Sequence, residues 1–308
     1  MPALKRAARK GDAKAQYNLG VAYDVGQGVP QDRAEALRWL KKAADQGNAM
    51  AQVNLGYAYD VGQGVPQDQA EAARWYRKAA DQGNTTAQYN LGVAYDVGQG
   101  VPRDRAEAVR WWKKAADQGD TQAQVHLGIS YYDGQGVPQD FGGAARWWRK
   151  AADQGDAQAQ VYLGVAYDVG QGVPQDQAEA ARWYRKAADQ GNAEAQAHLG
   201  HAYDVGQGVP QDRAEALRWL KKAADQGNAM AQLGLGIAYY NGKGVPQDFA
   251  EAYFWTNLAA ALNKNARGDS NAKLRDDAAA RLSPTQLSAT QKRCRQWMDA
   301  FEKRKAQK

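Results

Sequence analysis

The heptapeptide GQGVPQD, or a variant of it with one changed residue, occurs seven times in this chain of 308 residues. Each copy starts 36 residues after the previous one. Self-similarity at a fixed period of this length is typical of solenoids, in which chain length counts repeating units rather than separate cores. A tryptophan keeps the same spacing, at Trp39, Trp75, Trp111, Trp147, Trp183, Trp219 and Trp255. The periodicity therefore predicts an array of seven units over residues 13–264.

Residues 48–83 show how one unit is expected to fold. Asn48 predicts an N-cap, and apolar residues then recur at helical spacing. Two glycines end this first helix, and Asp68 and Glu71 have the spacing of a capping box at the start of a second helix. Gly56, inside the first helix, predicts a neighbour too close for a Cβ atom. Each unit is thus a helical hairpin, and stacked hairpins predict an all-α, right-handed α/α superhelical solenoid.

The two ends of the chain differ from the array. Residues 1–12 align with the second half of a unit, which predicts a partial helix of a preceding repeat as an N-terminal cap. We therefore expect the natural chain to start earlier, with an export signal as one candidate for the missing segment. Residues 265–308 predict capping helices and a basic tail, with a helix start at Ser283, Pro284 and Gln286. The apolar stripe expected to cover the last unit contains Leu287, Cys294, Trp297, Met298 and Phe301.

The net charge of +6 does not indicate a nucleic-acid-binding array. Residues 265–308 carry 11 Lys/Arg and 5 Asp/Glu, whereas residues 13–264 carry 25 and 28. Nucleic acid requires a basic stripe along the binding face, so we expect no nucleic-acid partner, with weak, salt-sensitive binding through the basic ends as the alternative. No apolar run approaches the roughly 20 residues of a membrane-spanning helix. A periodic row of aspartates is interpreted as solvated helix ends: Asp24, Asp60, Asp96, Asp168 and Asp204.

The sequence contains no pattern of reactive side chains that predicts covalent catalysis. The Gly-x-Gly of the heptapeptide is turn chemistry, because no strand precedes it and the G-x-x-x-x-G-K-[ST] pattern is absent. Cys294 is the single cysteine, and the chain has no Ser-His-Asp order, Cys-His pair or G-x-S-x-G elbow. We therefore predict a non-enzyme without a cofactor. His198 and His201, at i and i+3, leave a metal site as an alternative to the favoured polar binding surface.

The framework pattern resembles the Sel1-like repeat, a relative of the tetratricopeptide repeat. Every unit contains A-Q-x-x-L-G-x-x-Y and then G-x-G-V-P-x-D, and the first six continue with Trp and K-A-A. The resemblance implies a bacterial α/α superhelix that acts as an adaptor and binds a protein or peptide in its concave groove. It also implies two alternatives. Some relatives are immunity proteins that neutralise secreted phospholipase-type toxins, and a cysteine-rich branch is linked to β-lactam binding or hydrolysis. This array lacks the cysteines of that branch.

The sequence leaves two compartments open. We expect a periplasmic or envelope-associated protein if an export signal precedes the chain, and a cytoplasmic protein otherwise.

Partner specificity is expected at the positions that differ between otherwise similar units. Two such positions on each first helix recur every 36 residues, beginning with Asn18 and Val21. The resemblance places this helix along the concave groove, where tyrosine side chains are effective anchors. The aliphatic members have the alternative of packing against the next hairpin. The predicted partner-binding residues are Asn54, Tyr57, Asn90, His126, Tyr162, His198 and His201.

Overall fold

The computed structural model describes residues 1–262 and 269–307, and every regular element within these ranges is an α-helix. The chain forms two compact units, Met1–Gln154 and Gly155–Lys308. Unit 1 contains α1 (Pro2–Arg9), α2 (Ala13–Val25), α3 (Arg33–Asp45), α4 (Ala49–Val61), α5 (Gln69–Asp81), α6 (Thr85–Val97), α7 (Arg105–Asp117), α8 (Thr121–Asp133) and α9 (Phe141–Asp153). Unit 2 contains α10 (Ala157–Val169), α11 (Gln177–Asp189), α12 (Ala193–Val205), α13 (Arg213–Asp225), α14 (Ala229–Asn241), α15 (Phe249–Leu262), α16 (Asp269–Ala279) and α17 (Pro284–Ala306).

The first helix of a hairpin begins and ends as its sequence predicts. In α4 the Asn48 side-chain oxygen accepts a hydrogen bond from the backbone N–H of Ala51 at 2.9 Å. Gly62 then ends the helix in the left-handed conformation, with φ of 73°. This conformation is readily available only to glycine, so the chain can reverse within a few residues. The regular alternation of such first helices with second helices gives an all-α helical solenoid.

The start of the second helix departs from the predicted capping box. Asp68 accepts a hydrogen bond from the backbone N–H of Glu71 at 2.9 Å, as expected of an N-cap. The Glu71 carboxylate, however, pairs with Arg74 at 3.2 Å. In α7 the equivalent Glu107 accepts a hydrogen bond from the indole N–H of Trp111 at 2.9 Å. The aspartate half of the predicted capping box is confirmed, and the glutamate half is wrong. The glutamate binds side chains three or four residues later instead of the backbone N–H of the N-cap residue.

The steric reason predicted for the framework glycines is confirmed. A Cβ atom on Gly56 would lie 2.6 Å from the ring of Tyr76, and a Cβ on Gly92 would lie 2.5 Å from the ring of Trp112. Both aromatic rings belong to the second helix of the same hairpin. The glycine therefore lets a large second-helix side chain lie directly on the first-helix backbone, which draws the two helices together.

Buried glutamines connect consecutive hairpins, a feature that the sequence analysis did not predict. Gln88 Nε2 donates to the carbonyl of Ala80 at 3.2 Å, and Gln88 Oε1 accepts from Gln118 Nε2 at 2.7 Å. The same pair of bonds is made by Gln16, Gln52, Gln124 and Gln196. Because each glutamine satisfies a helix-end carbonyl and a side chain 30 residues later, it fixes the spacing of neighbouring hairpins.

The C-terminal helix α17 covers the end of the last hairpin. Ser283 and Gln286 form the predicted capping box at its start. Cys294 is buried against α15, and burial raises the pKa of its thiol, as expected of a structural cysteine. Helix α17 continues to Ala306, so most of the predicted basic tail is helical. Residues 263–268 of the predicted array end and capping region lie outside the described residues. No described helix is long and apolar enough to span a membrane.

Candidate functional site

A small cleft recurs between consecutive hairpins at the predicted specificity positions. Its walls are an aspartate near the end of one first helix, an aromatic ring on the following second helix, a polar residue on the next first helix, and a loop glutamine. The predicted residues Asn90, His126 and His198 hold the third place, and each cleft encloses at most about 60 Å³. The clefts comprise Asp60, Tyr76, Asn90 and Gln99; Asp96, Trp112, His126 and Gln135; and Asp168, Tyr184, His198 and Gln207.

Two of the predicted histidines are held by aromatic stacking. The His126 ring stacks on Trp112 with centroids 4.6 Å apart, and its Nε2 lies 3.4 Å from the hydroxyl of Tyr89. His198 stacks on Tyr184 at 4.7 Å with an interplanar angle of 7°. Burial lowers the pKa of both imidazoles, and nearby carboxylates offset only part of this shift. Both imidazoles therefore favour the neutral form.

This burial makes the stability of the protein sensitive to acid. A histidine whose folded-state pKa is lowered stabilises the folded state above its unfolded pKa of about 6.5, and the contribution is lost as pH falls through the folded pKa. We expect the melting temperature to fall more between pH 7.5 and 5 in the wild-type protein than in a His126→Asn, His198→Asn double variant. Asparagine is the matched choice because Asn54 and Asn90 occupy the same repeat position. Parallel pH profiles for the two proteins would contradict this assignment.

Asn90 and the loop glutamines make the remaining polar contacts of the clefts. The Asn90 side chain hydrogen-bonds with Tyr76, whose pKa is raised by burial. Gln99 Nε2 donates to Asp60 at 3.4 Å, and Gln207 Nε2 donates to Asp168 at 2.7 Å. Burial also raises the pKa of the Asp60 carboxyl. These aspartates are half-buried cleft residues rather than the solvated helix ends that the sequence suggested.

The other predicted partner-binding residues differ in exposure. Tyr57 on α4 is 53% exposed and His201 on α12 is exposed, whereas Asn54 and Tyr162 are half-buried. Close to Tyr57, Met50 is also 50% exposed. The aliphatic alternative is confirmed for part of the series: Val21, Val93 and Val165 pack against hydrophobic cores.

The predicted residues and the exposed apolar residues of the first helices fall into two groups, one in each compact unit. We call these the first-helix patches: Met50, Asn54, Tyr57, Asn90 and His126 in unit 1, and Tyr162, His198, His201, Met230 and Ile237 in unit 2. They offer hydrogen bonds and apolar contacts. Among residues 1–262 and 269–307, no group of three or more His, Cys, Asp or Glu residues is arranged to hold a metal ion.

A helical-hairpin array with variable side chains on its first helices defines a repeat scaffold of the protein-interaction class. The chain belongs to the Sel1 repeat family, whose model matches residues 13–48, 49–84, 85–120, 121–156, 157–192, 193–228 and 229–264. Sel1 repeat proteins generally mediate protein–protein interaction, and the family fold is generally a non-enzymatic scaffold.

Solved structures support the family assignment. A Sel1 repeat protein from Oxalobacter formigenes is 33% identical, with a TM-score of 0.69 over 82% of this chain and 99% of that one. A protective antigen present in uropathogenic Escherichia coli strains, which displays an SLR fold, is 29% identical, with a TM-score of 0.58 over 99% of this chain and 89% of that one. No curated protein matches the chain significantly.

Proposed function

We propose that this protein is a non-enzymatic scaffold that binds a partner protein or peptide on its first-helix patches. The observation that carries the proposal is the exposure of large apolar side chains at these patches. Met50 and Tyr57 project from α4, and Met230 and Ile237 project from α14. Each pair is spaced i and i+7 on one helix, so its two members share a face. Aromatic and methionine side chains are enriched in protein interfaces, where they supply much of the binding energy.

Charge supports a protein rather than a nucleic acid as the partner. The array at residues 13–264 carries more acidic than basic side chains, and several arginines on the second helices pair with carboxylates, as Arg74 and Arg110 do. A surface of this kind lacks the continuous positive field that phosphate backbones require. The variable residues of the first-helix patches are instead tyrosine, histidine, asparagine, methionine and isoleucine, which suit mixed apolar and polar contacts.

Site-specific crosslinking tests this function and identifies the partner. A photoreactive phenylalanine analogue at position 57 should crosslink one protein from an extract of the source cells. The same analogue at position 74, on the second helix α5, should leave that protein uncaptured. Arg74 is a suitable control position because its side chain is 76% exposed.

The captured protein then allows an affinity measurement. Tyr57→Ala should weaken binding by about 30-fold, since an aromatic interface anchor is worth ~2 kcal/mol or more. The melting temperature should change little, because the side chain is largely exposed. Arg74→Ala should bind normally. If Tyr57→Ala binds normally while Arg74→Ala does not, the partner docks on the second helices and the proposal fails.

A further inference from the structure

The cleft between α12, α13 and α14 is much larger than the three small clefts described above. It encloses about 390 Å³, against at most about 60 Å³ for each of the three small clefts. Three substitutions in the repeat account for its size and character. Leu220 stands where the small clefts have an aromatic ring, Gly234 where they have asparagine or histidine, and Lys243 where they have glutamine. The cleft is therefore open where the others are filled.

The walls of this cleft are mainly apolar, and His201, Asp204 and Lys243 are its polar lining residues. Leu217, Leu220, Leu233 and Ile237 line it, and Met230 stands at its rim with 54% of its surface exposed. Burial of an apolar side chain here would remove both its own surface and that of the lining residues from water. A volume of this size accommodates an aromatic or large aliphatic side chain.

Steric packing does not require a glycine at position 234. A Cβ atom there would lie 3.4 Å from Leu220 Cδ1, an ordinary van der Waals distance. The framework glycines are different, since a Cβ on Gly200 would lie 2.8 Å from Leu220 and one on Gly236 would lie 2.5 Å from Thr256. A glycine inside a helix lowers helix stability. Gly234 therefore weakens α14 while keeping the cleft open, which points to a ligand rather than to packing.

The loop at the mouth of the cleft carries a cation where the small clefts have glutamine. Asp204 lies within 4.0 Å of Arg213, which balances its carboxylate. Lys243 is exposed, and no described residue forms an ion pair or hydrogen bond with its ammonium group. In the other six loops the same position is an uncharged glutamine. An anionic group next to the occupant of the cleft would meet an unpaired cation at short range.

We propose that the α12–α14 cleft is a specificity subsite for a peptide segment in which a large apolar side chain lies next to a carboxylate. The apolar side chain enters above Leu220 in the space left by Gly234, and the carboxylate pairs with Lys243. The carboxylate is that of a neighbouring acidic residue or of the peptide C-terminus. This subsite rests on the proposed function, since it gives the chemistry of the segment that the unit 2 patch selects.

The chain contains its own control for a direct binding test. Residues 22–52 and 202–232 are identical, so Met50 in unit 1 corresponds to Met230 in unit 2. The two methionines have nearly equal exposure, at 50% and 54%. At the position that corresponds to Gly234, unit 1 carries Asn54. With methionine methyl groups labelled with ¹³C, Met230 reports on the subsite and Met50 on non-specific association.

The probe is the peptide N-acetyl-Gly-Phe-Asp-Gly-amide, titrated to about 10 mM against the labelled protein. The Met230 methyl resonance should shift with a saturating curve while Met50 stays in place. Replacement of phenylalanine by alanine in the peptide should weaken binding at least ~10-fold, in line with the loss of the buried ring. Replacement of its aspartate by asparagine, or Lys243→Gln in the protein, should weaken binding about 2- to 5-fold, as expected of an exposed ion pair. N-acetyl-Gly-Phe with a free carboxylate distinguishes the chain terminus from an acidic side chain as the source.

The Gly234→Asn variant completes the test, because it gives unit 2 the residue that unit 1 has at this position, Asn54. It should abolish the saturable shift of Met230 and keep a melting temperature within a few degrees of the wild type. The subsite is disproved if Met230 stays in place, if Met50 and Met230 shift together, or if the Gly234→Asn titration matches the wild type. Equal binding of the aspartate and asparagine peptides would disprove the role of Lys243. None of these results affects the crosslinking test at position 57, so the subsite and the general function fail separately.

Discussion

Replacement of Trp111 with alanine should lower the free energy of unfolding by about 3–5 kcal/mol, the usual cost of truncating a large buried aromatic side chain. Trp111 is buried against Leu91 of its own hairpin and against Tyr76 and Ala80 of the hairpin before it. Its indole N–H donates to Glu107, and the ammonium group of Lys114 lies 3.7 Å from its ring centroid. Truncation therefore removes packing, a hydrogen bond and a cation–π contact at the junction of two hairpins. Urea denaturation followed by circular dichroism measures the loss.

Trp147→Ala is the matched control, because it changes the same repeat position in the hairpin of α9. Trp147 is only half-buried, and Gly143 stands where the hairpin of Trp111 has Glu107, the residue that accepts from the indole. Its truncation should cost less than that of Trp111. Equal urea midpoints for the two variants would contradict this prediction. The loss of stability would then not depend on the burial and hydrogen bonding of each tryptophan.

The sequence predicted the hairpins well because their signals are local. Asn48, Gly62 and Asp68 each act on backbone groups within a few residues, and these contacts appear as expected. The buried stripe of the second helix also follows from helical spacing alone. Such features need no knowledge of which hairpin lies next to which.

The recurrent clefts could not be predicted in the same way, because they combine residues far apart in the sequence. Gln99 reaches Asp60 across 39 residues, and Gln118 reaches Gln88 across 30. In sequence, each of these glutamines looks like an ordinary polar loop or helix-end residue. The available signal was that these glutamines recur in successive hairpins. The interpretation of the aspartates as solvated helix ends did not use this signal. Stacking of hairpins, rather than local propensity, gives these side chains their partners.

Gly200 and Gly234 offer a second test of large effect, because both face Leu220 from different first helices. A Cβ atom on Gly200 would lie 2.8 Å from Leu220 Cγ and 3.1 Å from the carbonyl oxygen of Ala216. The carbonyl belongs to α13 and cannot move without shifting that helix. Gly200→Ala should therefore destabilise the protein by about 1–3 kcal/mol, the usual cost of overpacking.

Gly234→Ala should have the opposite sign, with a gain of about 0.5–1 kcal/mol, because alanine is the better helix former and its Cβ has room. The two variants make the same chemical change against the same leucine, so the difference between their urea midpoints isolates the steric requirement at each position. If both alanines destabilise, position 234 is as crowded as position 200, and the glycine there is explained by packing. If only Gly200→Ala destabilises, the array keeps a glycine that its own fold does not need. Stability and binding then pull in opposite directions at position 234, as expected where a repeat position has been adapted to a ligand.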